Sequence, residues 1–127
     1  MKEQTKKILF ADDEESLREL YKIRFESESF KVIFAKDGEE ALEKIYKEKP
    51  NLILLDIMMP KKNGLEVLEQ IKKDPAVADI PVVMLTVLGD EGIRNNAFNL
   101  GAKYYLVKSD VVPLEVVKLI RQELGII

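Results

Sequence analysis

Five side chains suited to phosphate and cation chemistry each stand at the end of a short apolar segment. Asp12 and Asp13 follow the first segment, Asp56 follows the third, Thr86 ends the fourth and Lys108 follows the fifth. Carboxylate oxygens without His or Cys suit a hard cation such as Mg²⁺. A carboxylate nucleophile, a hydroxyl donor and an ammonium group are what phosphoryl transfer requires. We therefore predict a Mg²⁺-dependent phosphoryl acceptor site with Asp56 as its nucleophile, Lys108 as its point charge and Thr86 as its hydroxyl donor.

Taken one at a time, these residues have ordinary structural interpretations. The acidic pair before Glu14 is typical of helix capping, and Asp56, Thr86 and Lys108 are typical of solvated loop ends. The functional interpretation depends on all of them meeting in one crevice.

Composition restricts the chemistry further. The 127 residues suffice for one compact domain, with 46% hydrophobic and 34% charged residues and no apolar run long enough to span a membrane. The absence of Cys and His excludes disulfides, thiol nucleophiles, histidine bases and the usual zinc sites. A net charge of -3 gives no basic face for nucleic acid. The N-terminal residues show no signal-peptide core, so we expect a cytoplasmic protein.

Apolar segments alternate with amphipathic ones along the whole chain. The predicted strands are Ile8 to Ala11, Val32 to Ala35, Leu52 to Leu55, Pro81 to Thr86 and Tyr104 to Val107. The predicted helical faces are Leu17, Leu20, Tyr21 and Phe25; Ala41, Leu42 and Ile45; Leu65, Leu68 and Ile71; Ile93, Ala97 and Leu100; and Leu114, Val117, Ile120 and Leu124. Asp37 and Gly38 are predicted to open the second helix, and Pro113 suits the first turn of the fifth.

This alternation predicts an α/β fold, a (βα)₅ doubly wound, flavodoxin-like domain. Right-handed crossovers place helices on both faces of a five-stranded parallel sheet, with the expected strand order 2-1-3-4-5. Such sheets bind ligands at the carboxyl ends of their strands, close to the point where strand order reverses. Three carboxylates would then converge and repel one another, which calls for a cation between them.

Four segments resemble the receiver domain of two-component response regulators over residues 7–124. The segments are ILFADDE, LILLDIMMPKKNG with the pattern D-x-x-M-P-x-x-x-G, VVMLT and GAKYYLVK. The resemblance implies one receiver domain over 1–127, similar to the single-domain chemotaxis-type regulators. It implies a signalling protein, not an enzyme, that catalyses its own phosphoryl transfer and slow dephosphorylation. It implies phosphorylation of Asp56 by a sensor histidine kinase or a histidine phosphotransfer protein. The output would pass to an effector protein or an attached output domain.

The resemblance also implies individual roles. Asp13 and Asp56 would bind Mg²⁺ directly, Asp12 largely through water, and Met58 through its backbone carbonyl. Tyr105 matches the aromatic residue that turns inward as Thr86 moves toward the phosphoryl group, although an ordinary strand aromatic is its plain structural interpretation. The surface near the fourth helix and fifth strand would change with phosphorylation.

Two positions depart from the family pattern. Ser109 follows Lys108 where the family usually has Pro, so we expect a trans peptide bond, a rearranged loop and some effect on the placement of Lys108. Val87 replaces a small residue after Thr86, and its bulk would narrow access for phosphodonors. These departures keep open a pseudo-receiver, an interaction module that acts without phosphorylation.

Two other classes of protein fit less well. A Mg²⁺-dependent phosphatase with an aspartyl intermediate would place D-x-D after the first strand and carry a cap, whereas the pair here is adjacent. A flavin-binding protein of this fold needs a hydroxyl-rich phosphate loop after the first strand, and the acidic residues 12–16 have the wrong charge.

Overall fold

The computed structural model describes residues 5–126, so part of the N-terminal segment in which no export signal was predicted lies outside the described residues. The strands are β1 (Lys7–Ala11), β2 (Lys31–Ala35), β3 (Leu52–Leu55), β4 (Val82–Thr86) and β5 (Tyr104–Val107). The helices are α1 (Glu15–Ser27), α2 (Gly38–Glu48), α3 (Gly64–Lys72), α4 (Glu91–Asn99) and α5 (Pro113–Glu123). A short 3₁₀ turn, Lys108–Asp110, joins β5 to α5.

The strands form one parallel sheet in the order β2-β1-β3-β4-β5, which confirms the predicted fold and strand order. The predicted strand bounds agree to within one residue. β2 begins at Lys31, one residue earlier than predicted, and β4 begins at Val82 because Pro81 has no N–H to donate to the ladder. The parallel sheet brings all five strand ends to one edge.

Successive residues of each strand pack on opposite faces of the sheet, which gives two hydrophobic layers. From β1, Ile8 and Phe10 pack against α1 and α5, whereas Leu9 and Ala11 pack on the side of α2, α3 and α4. All four are fully buried. Burial on both faces explains why the strands are continuously apolar in sequence.

Two predicted core positions are wrong. Leu20 is 49% exposed and Leu114 is 44% exposed. In α1 the buried residues are Tyr21 and Phe25, and Leu20 lies about 100° around the helix from Tyr21, at the edge of the packed face. In α5 the buried stripe includes Val116, which the predicted face omitted.

Helix ends follow the predicted punctuation at α2 and α5. The side chain of Asp37 caps α2 by accepting a hydrogen bond from the Glu40 amide, and Pro113 is the first residue of α5. α1 differs, because its N-cap is Glu14 and neither Asp12 nor Asp13 caps it within the part of the chain that the structure describes. The capping interpretation of the acidic pair is therefore wrong.

No helix among the described residues has the length and apolar character that a membrane crossing requires.

Candidate functional site

The carboxyl edge of the sheet gathers three of the predicted residues into one acidic cluster. Asp12 and Asp13 leave the end of β1, and Asp56 leaves the end of β3, the strand beside it. One oxygen from each carboxylate lies within 4.8 Å of the others. Asp12 and Asp56 are buried, whereas Asp13 is exposed at the mouth of an open cleft of about 680 Å³.

Lys108 lies between the two buried carboxylates. Its Nζ is 2.7 Å from Oδ2 of Asp12 and donates a hydrogen bond of 3.0 Å to Oδ2 of Asp56. The peptide bond to Ser109 is trans, as predicted, because no peptide bond in residues 5–126 is cis. Lys108 thus reaches the acidic cluster although the loop after it forms a 3₁₀ turn.

One buried oxygen of the cluster is held by an ion pair alone. Oδ1 of Asp12 accepts a hydrogen bond of 2.9 Å from the Glu14 amide, but Oδ2 has no hydrogen-bond partner among the described residues. Its contact with Lys108, at 2.7 Å, is a close approach of opposite charges rather than a well-directed hydrogen bond. A buried carboxylate oxygen without a directed hydrogen bond can also take part in binding a metal cation.

The pKa values follow from burial and charge. Burial raises the pKa of Asp12, and the charge of Asp56 raises it further, while Lys108 and the Glu14 amide oppose the shift. Burial alone would lower the pKa of Lys108, but its close contacts with the Asp12 and Asp56 carboxylates, and their charges, outweigh burial and raise that pKa. The cluster therefore holds an ammonium group and has excess negative charge.

The loop after β3 is shaped by a close backbone approach. The N–H of Met58 donates to Oδ1 of Asp56 at 3.3 Å. A Cβ on Gly64 would lie 2.1 Å from the carbonyl oxygen of Asp56, so only glycine fits there. Asn63 then opens α3 with a capping box. The spacing from Asp56 to Gly64 is thus a packing requirement of the loop.

Thr86 and Tyr105 are both connected to the backbone of Leu88. The Leu88 amide donates to Oγ1 of the buried Thr86 at 3.4 Å, and the Tyr105 hydroxyl donates to the Leu88 carbonyl at 2.7 Å. Tyr105 is turned inward and is 8% exposed, and its ring packs 6.4 Å from that of Phe98 in α4. The structure therefore brings Thr86 and Tyr105 to one corner beside the acidic cluster.

Val87 and Met58 are apolar residues at the rim of the cleft. Val87 is 60% exposed and Met58 is 54% exposed, and both line the cleft that contains Asp56 and Lys108. The bulky side chain of Val87 therefore lies at the mouth of this cleft.

Sequence reasoning missed one residue at this edge, Arg18 of α1. Its Nη1 donates a hydrogen bond of 2.7 Å to the backbone carbonyl of Asp12. The spacing of six residues carries no motif, and an arginine on an amphipathic helix reads as an ordinary surface residue.

Comparisons with known proteins identify the family of the chain. Residues 8–121 match the family described as the response regulator receiver domain. The chain is 43% identical over 106 residues to the probable transcriptional regulator ycf27 of Guillardia theta, which covers 84% of this chain and 41% of that protein. The chain thus spans less than half the length of the curated ycf27 relatives that it matches.

Solved structures extend the likeness to the whole fold. A CheY-like receiver domain protein from Methanospirillum hungatei has a TM-score of 0.89 at 30% identity and covers 96% of this chain and 95% of its own. The BeF3-activated N-terminal receiver domain of Klebsiella pneumoniae RstA has a TM-score of 0.84 at 28% identity and covers 91% of this chain and 96% of its own. The chain belongs to the response regulator receiver domain family of two-component signalling.

Proposed function

We propose that this receiver accepts a phosphoryl group on Asp56, with Mg²⁺ bound at the acidic cluster. The observation that carries the proposal is the convergence of the Asp12, Asp13 and Asp56 carboxylates, with Lys108 ion-paired to Asp12 and Asp56. A beryllofluoride group is a chemical stand-in for a phosphoryl group, and the similar receiver domain of RstA is described as BeF3-activated.

The donor set fits the metal that the family implies. Three carboxylates without nitrogen or sulfur ligands suit Mg²⁺, which keeps several waters and takes further oxygens from phosphate. We assign Asp13 and Asp56 as direct ligands, Asp12 as a ligand largely through water, and the Met58 carbonyl as a backbone ligand. Bound Mg²⁺ supplies positive charge that offsets the carboxylates and the incoming phosphoryl oxygens.

The transfer itself is a displacement at phosphorus. A carboxylate oxygen of Asp56 forms the new O–P bond while the P–N bond of a phosphohistidine on another protein breaks, and the electron pair of that bond returns to the imidazole nitrogen. Because this chain has no His, the donor residue belongs to a partner, which we propose is a sensor histidine kinase or a histidine phosphotransfer protein. The carboxylate is already oriented by Lys108 and the Met58 amide.

Lys108 and Thr86 then act on the phosphoryl oxygens. Lys108 carries the positive charge that neutralises one oxygen, and its raised pKa keeps it protonated. The Thr86 hydroxyl donates to a second phosphoryl oxygen. This changes its hydrogen bond with the Leu88 amide and hence the contact between Leu88 and Tyr105. We propose that this movement changes the surface of α4 and β5, which an effector protein or an attached output domain reads.

The direct test of the acceptor is intact-mass spectrometry after incubation with acetyl phosphate and Mg²⁺. Wild type should gain one phosphoryl group and Asp56→Asn should gain none. Asp110→Asn is the matched control, because it makes the same change at an exposed aspartate in the neighbouring 3₁₀ turn. Equal labelling of wild type and Asp56→Asn would refute the assignment, and no labelling of wild type would favour the pseudo-receiver.

The proposed switch has its own test. Beryllofluoride with Mg²⁺ should shift NMR amide signals of residues 86–105 more than those of α2. Shifts limited to the neighbours of the acidic cluster would rule out a switch through Leu88.

A further inference from the structure

Among the described residues, and apart from its contact with Lys108, Asp12 takes part in three hydrogen bonds that hold the loop carrying the acidic pair. The Asp12 amide donates to the Ala35 carbonyl of β2 at 3.0 Å, and the Glu14 amide donates to Oδ1 of Asp12 at 2.9 Å. The third comes from Arg18, whose Nη1 donates to the Asp12 carbonyl at 2.7 Å. Of the three, only the bond from Arg18 connects this loop to a side chain of the helix that follows it.

Three of the other four helices that begin at this edge in the described part of the chain are fixed by a side chain at the N-cap, whereas α5, with Val112 at its N-cap, is not. Asp37 caps α2, Asn63 caps α3 and Asp90 caps α4, each by accepting from a backbone amide in the first turn. Glu14 at the start of α1 makes no such bond among the described residues. The approach of the chain from β1 into α1 is therefore fixed by a different contact.

The Arg18 contact is suited to orientation rather than to charge neutralisation. Its donor meets the backbone carbonyl of Asp12, while the carboxylate of the same residue faces Lys108 and Asp56. A charged donor to a backbone carbonyl is among the stronger protein hydrogen bonds. Side chains that hold metal ligands in place from outside the ligand set govern metal affinity.

We infer that Arg18 is a positioning residue for the metal site, which fixes the backbone of Asp12 and so directs the carboxylates of Asp12 and Asp13. This inference rests on the proposed function, because it concerns the binding of Mg²⁺ to those carboxylates. It adds a residue outside the acidic cluster to the determinants of metal affinity.

The charge of Arg18 and its hydrogen bond to Asp12 predict opposite changes in Mg²⁺ affinity when Arg18 is replaced by Met. Loss of a positive charge near three carboxylates would strengthen Mg²⁺ binding if charge alone mattered. Loss of the bond to the Asp12 carbonyl should weaken Mg²⁺ binding by about tenfold, the lower end of the effect of removing an orienting group. Arg18→Lys, which keeps a long charged donor, should recover most of the affinity.

The matched control is Arg24→Met. Arg24 is another partly exposed arginine of α1, about 9 Å further along the helix axis from the site. The Arg24→Met substitution removes the same charge from the same helix and should leave Mg²⁺ affinity unchanged. Urea unfolding of each variant without Mg²⁺ verifies that the fold is intact, and Arg18→Gln replaces Arg18→Met if the latter does not fold.

The experiment combines two measurements on the full chain. Calorimetric titration with Mg²⁺ gives the affinity, and amide hydrogen exchange in Mg²⁺-free buffer gives the order of the loop. Arg18→Met should show weaker binding and faster exchange at Asp13 and Glu14, with Arg24→Met equal to wild type. Equal or tighter binding by Arg18→Met, with unchanged exchange, would overturn the inference. Failure of wild type to bind Mg²⁺ would overturn the proposed metal site itself.

Discussion

Asp12 and Asp37 lie just beyond the ends of two neighbouring strands, and both are buried. Asp37 accepts a hydrogen bond of 2.8 Å from the Glu40 amide and lies 3.7 Å from the Lys61 ammonium, and that amide bond lowers its pKa. Asp12 lies 2.7 Å from the Lys108 ammonium but faces two other carboxylates, and burial and the charge of Asp56 raise its pKa. The surroundings, rather than residue type or depth, separate a carboxylate that supports the fold from one that is available for a ligand.

The largest expected difference between Asp12 and Asp37 is in how much Mg²⁺ stabilises the protein when each residue is replaced. At a concentration about 100-fold above its dissociation constant, Mg²⁺ should raise the unfolding free energy of wild type by about 2.7 kcal/mol. Asp37→Asn should respond like wild type, because Asp37 lies outside the acidic cluster. Asp12→Asn should respond much less. Urea melts across a Mg²⁺ titration test this, and an equal response from all three proteins would place the metal elsewhere.

The next effect concerns the cap of α2. Asp37→Ala should lower the unfolding free energy by about 1–2 kcal/mol, because it removes the side-chain acceptor for the Glu40 amide. Asp37→Asn is the control, since asparagine is also a good N-cap residue. Urea melts of the metal-free proteins give the result. Equal stability of Asp37→Ala and Asp37→Asn would contradict a stabilising role for the Asp37 side chain as the N-cap of α2.

In metal-free buffer Asp12→Asn should raise the unfolding free energy, whereas Asp37→Ala lowers it. Two carboxylates about 5 Å apart repel by roughly 3 kcal/mol at an effective dielectric of about 20, and Lys108 offsets part of this. Neutralising Asp12 leaves the Lys108–Asp56 pair, so the unfolding free energy should rise by on the order of 1 kcal/mol. The charge of the exposed Asp13 is better screened by solvent, so Asp13→Asn should change the unfolding free energy by less than about 0.5 kcal/mol. A clear loss of stability in Asp12→Asn would mean that its contact with Lys108 outweighs the repulsion.

The smallest effect is the pH dependence in metal-free buffer. The folded pKa of Asp12 is raised above its ordinary value of 3.8, so the folded state binds the proton first and its contribution to stability rises as pH falls toward 3.8. The folded pKa of Asp37 is lowered, so its contribution is present above 3.8 and is lost as pH falls through the folded pKa. The stability of wild type relative to Asp12→Asn, and separately to Asp37→Asn, should thus change in opposite directions on acidification. Parallel changes would contradict the contrast between the two residues.

The sequence predicted the sheet and its strand order because continuous apolar segments and helix punctuation are local signals. It also predicted which side chains reach the carboxyl edge, since parallel strands bring their ends together. It did not separate the buried Asp12 from the exposed Asp13, because adjacent residues after a strand differ only through the loop they enter. Helical periodicity does not fix the edge of a packed face, so the burial predicted for Leu20 and Leu114 was wrong. Periodicity also does not reveal a bond to a distant carbonyl, so the contact of Arg18 was missed.

The proposal that Asp56 is the phosphoryl acceptor in a Mg²⁺-dependent site is tested most directly by locating the modification. Wild type is incubated with acetyl phosphate, with Mg²⁺ in one sample and EDTA in the other, and its peptides are sequenced by tandem mass spectrometry. We expect one phosphoryl group, on Asp56, in the Mg²⁺ sample alone. A phosphoryl group on Asp12 or Asp13, equal labelling in EDTA, or an unmodified Asp56 in the Mg²⁺ sample would contradict the account.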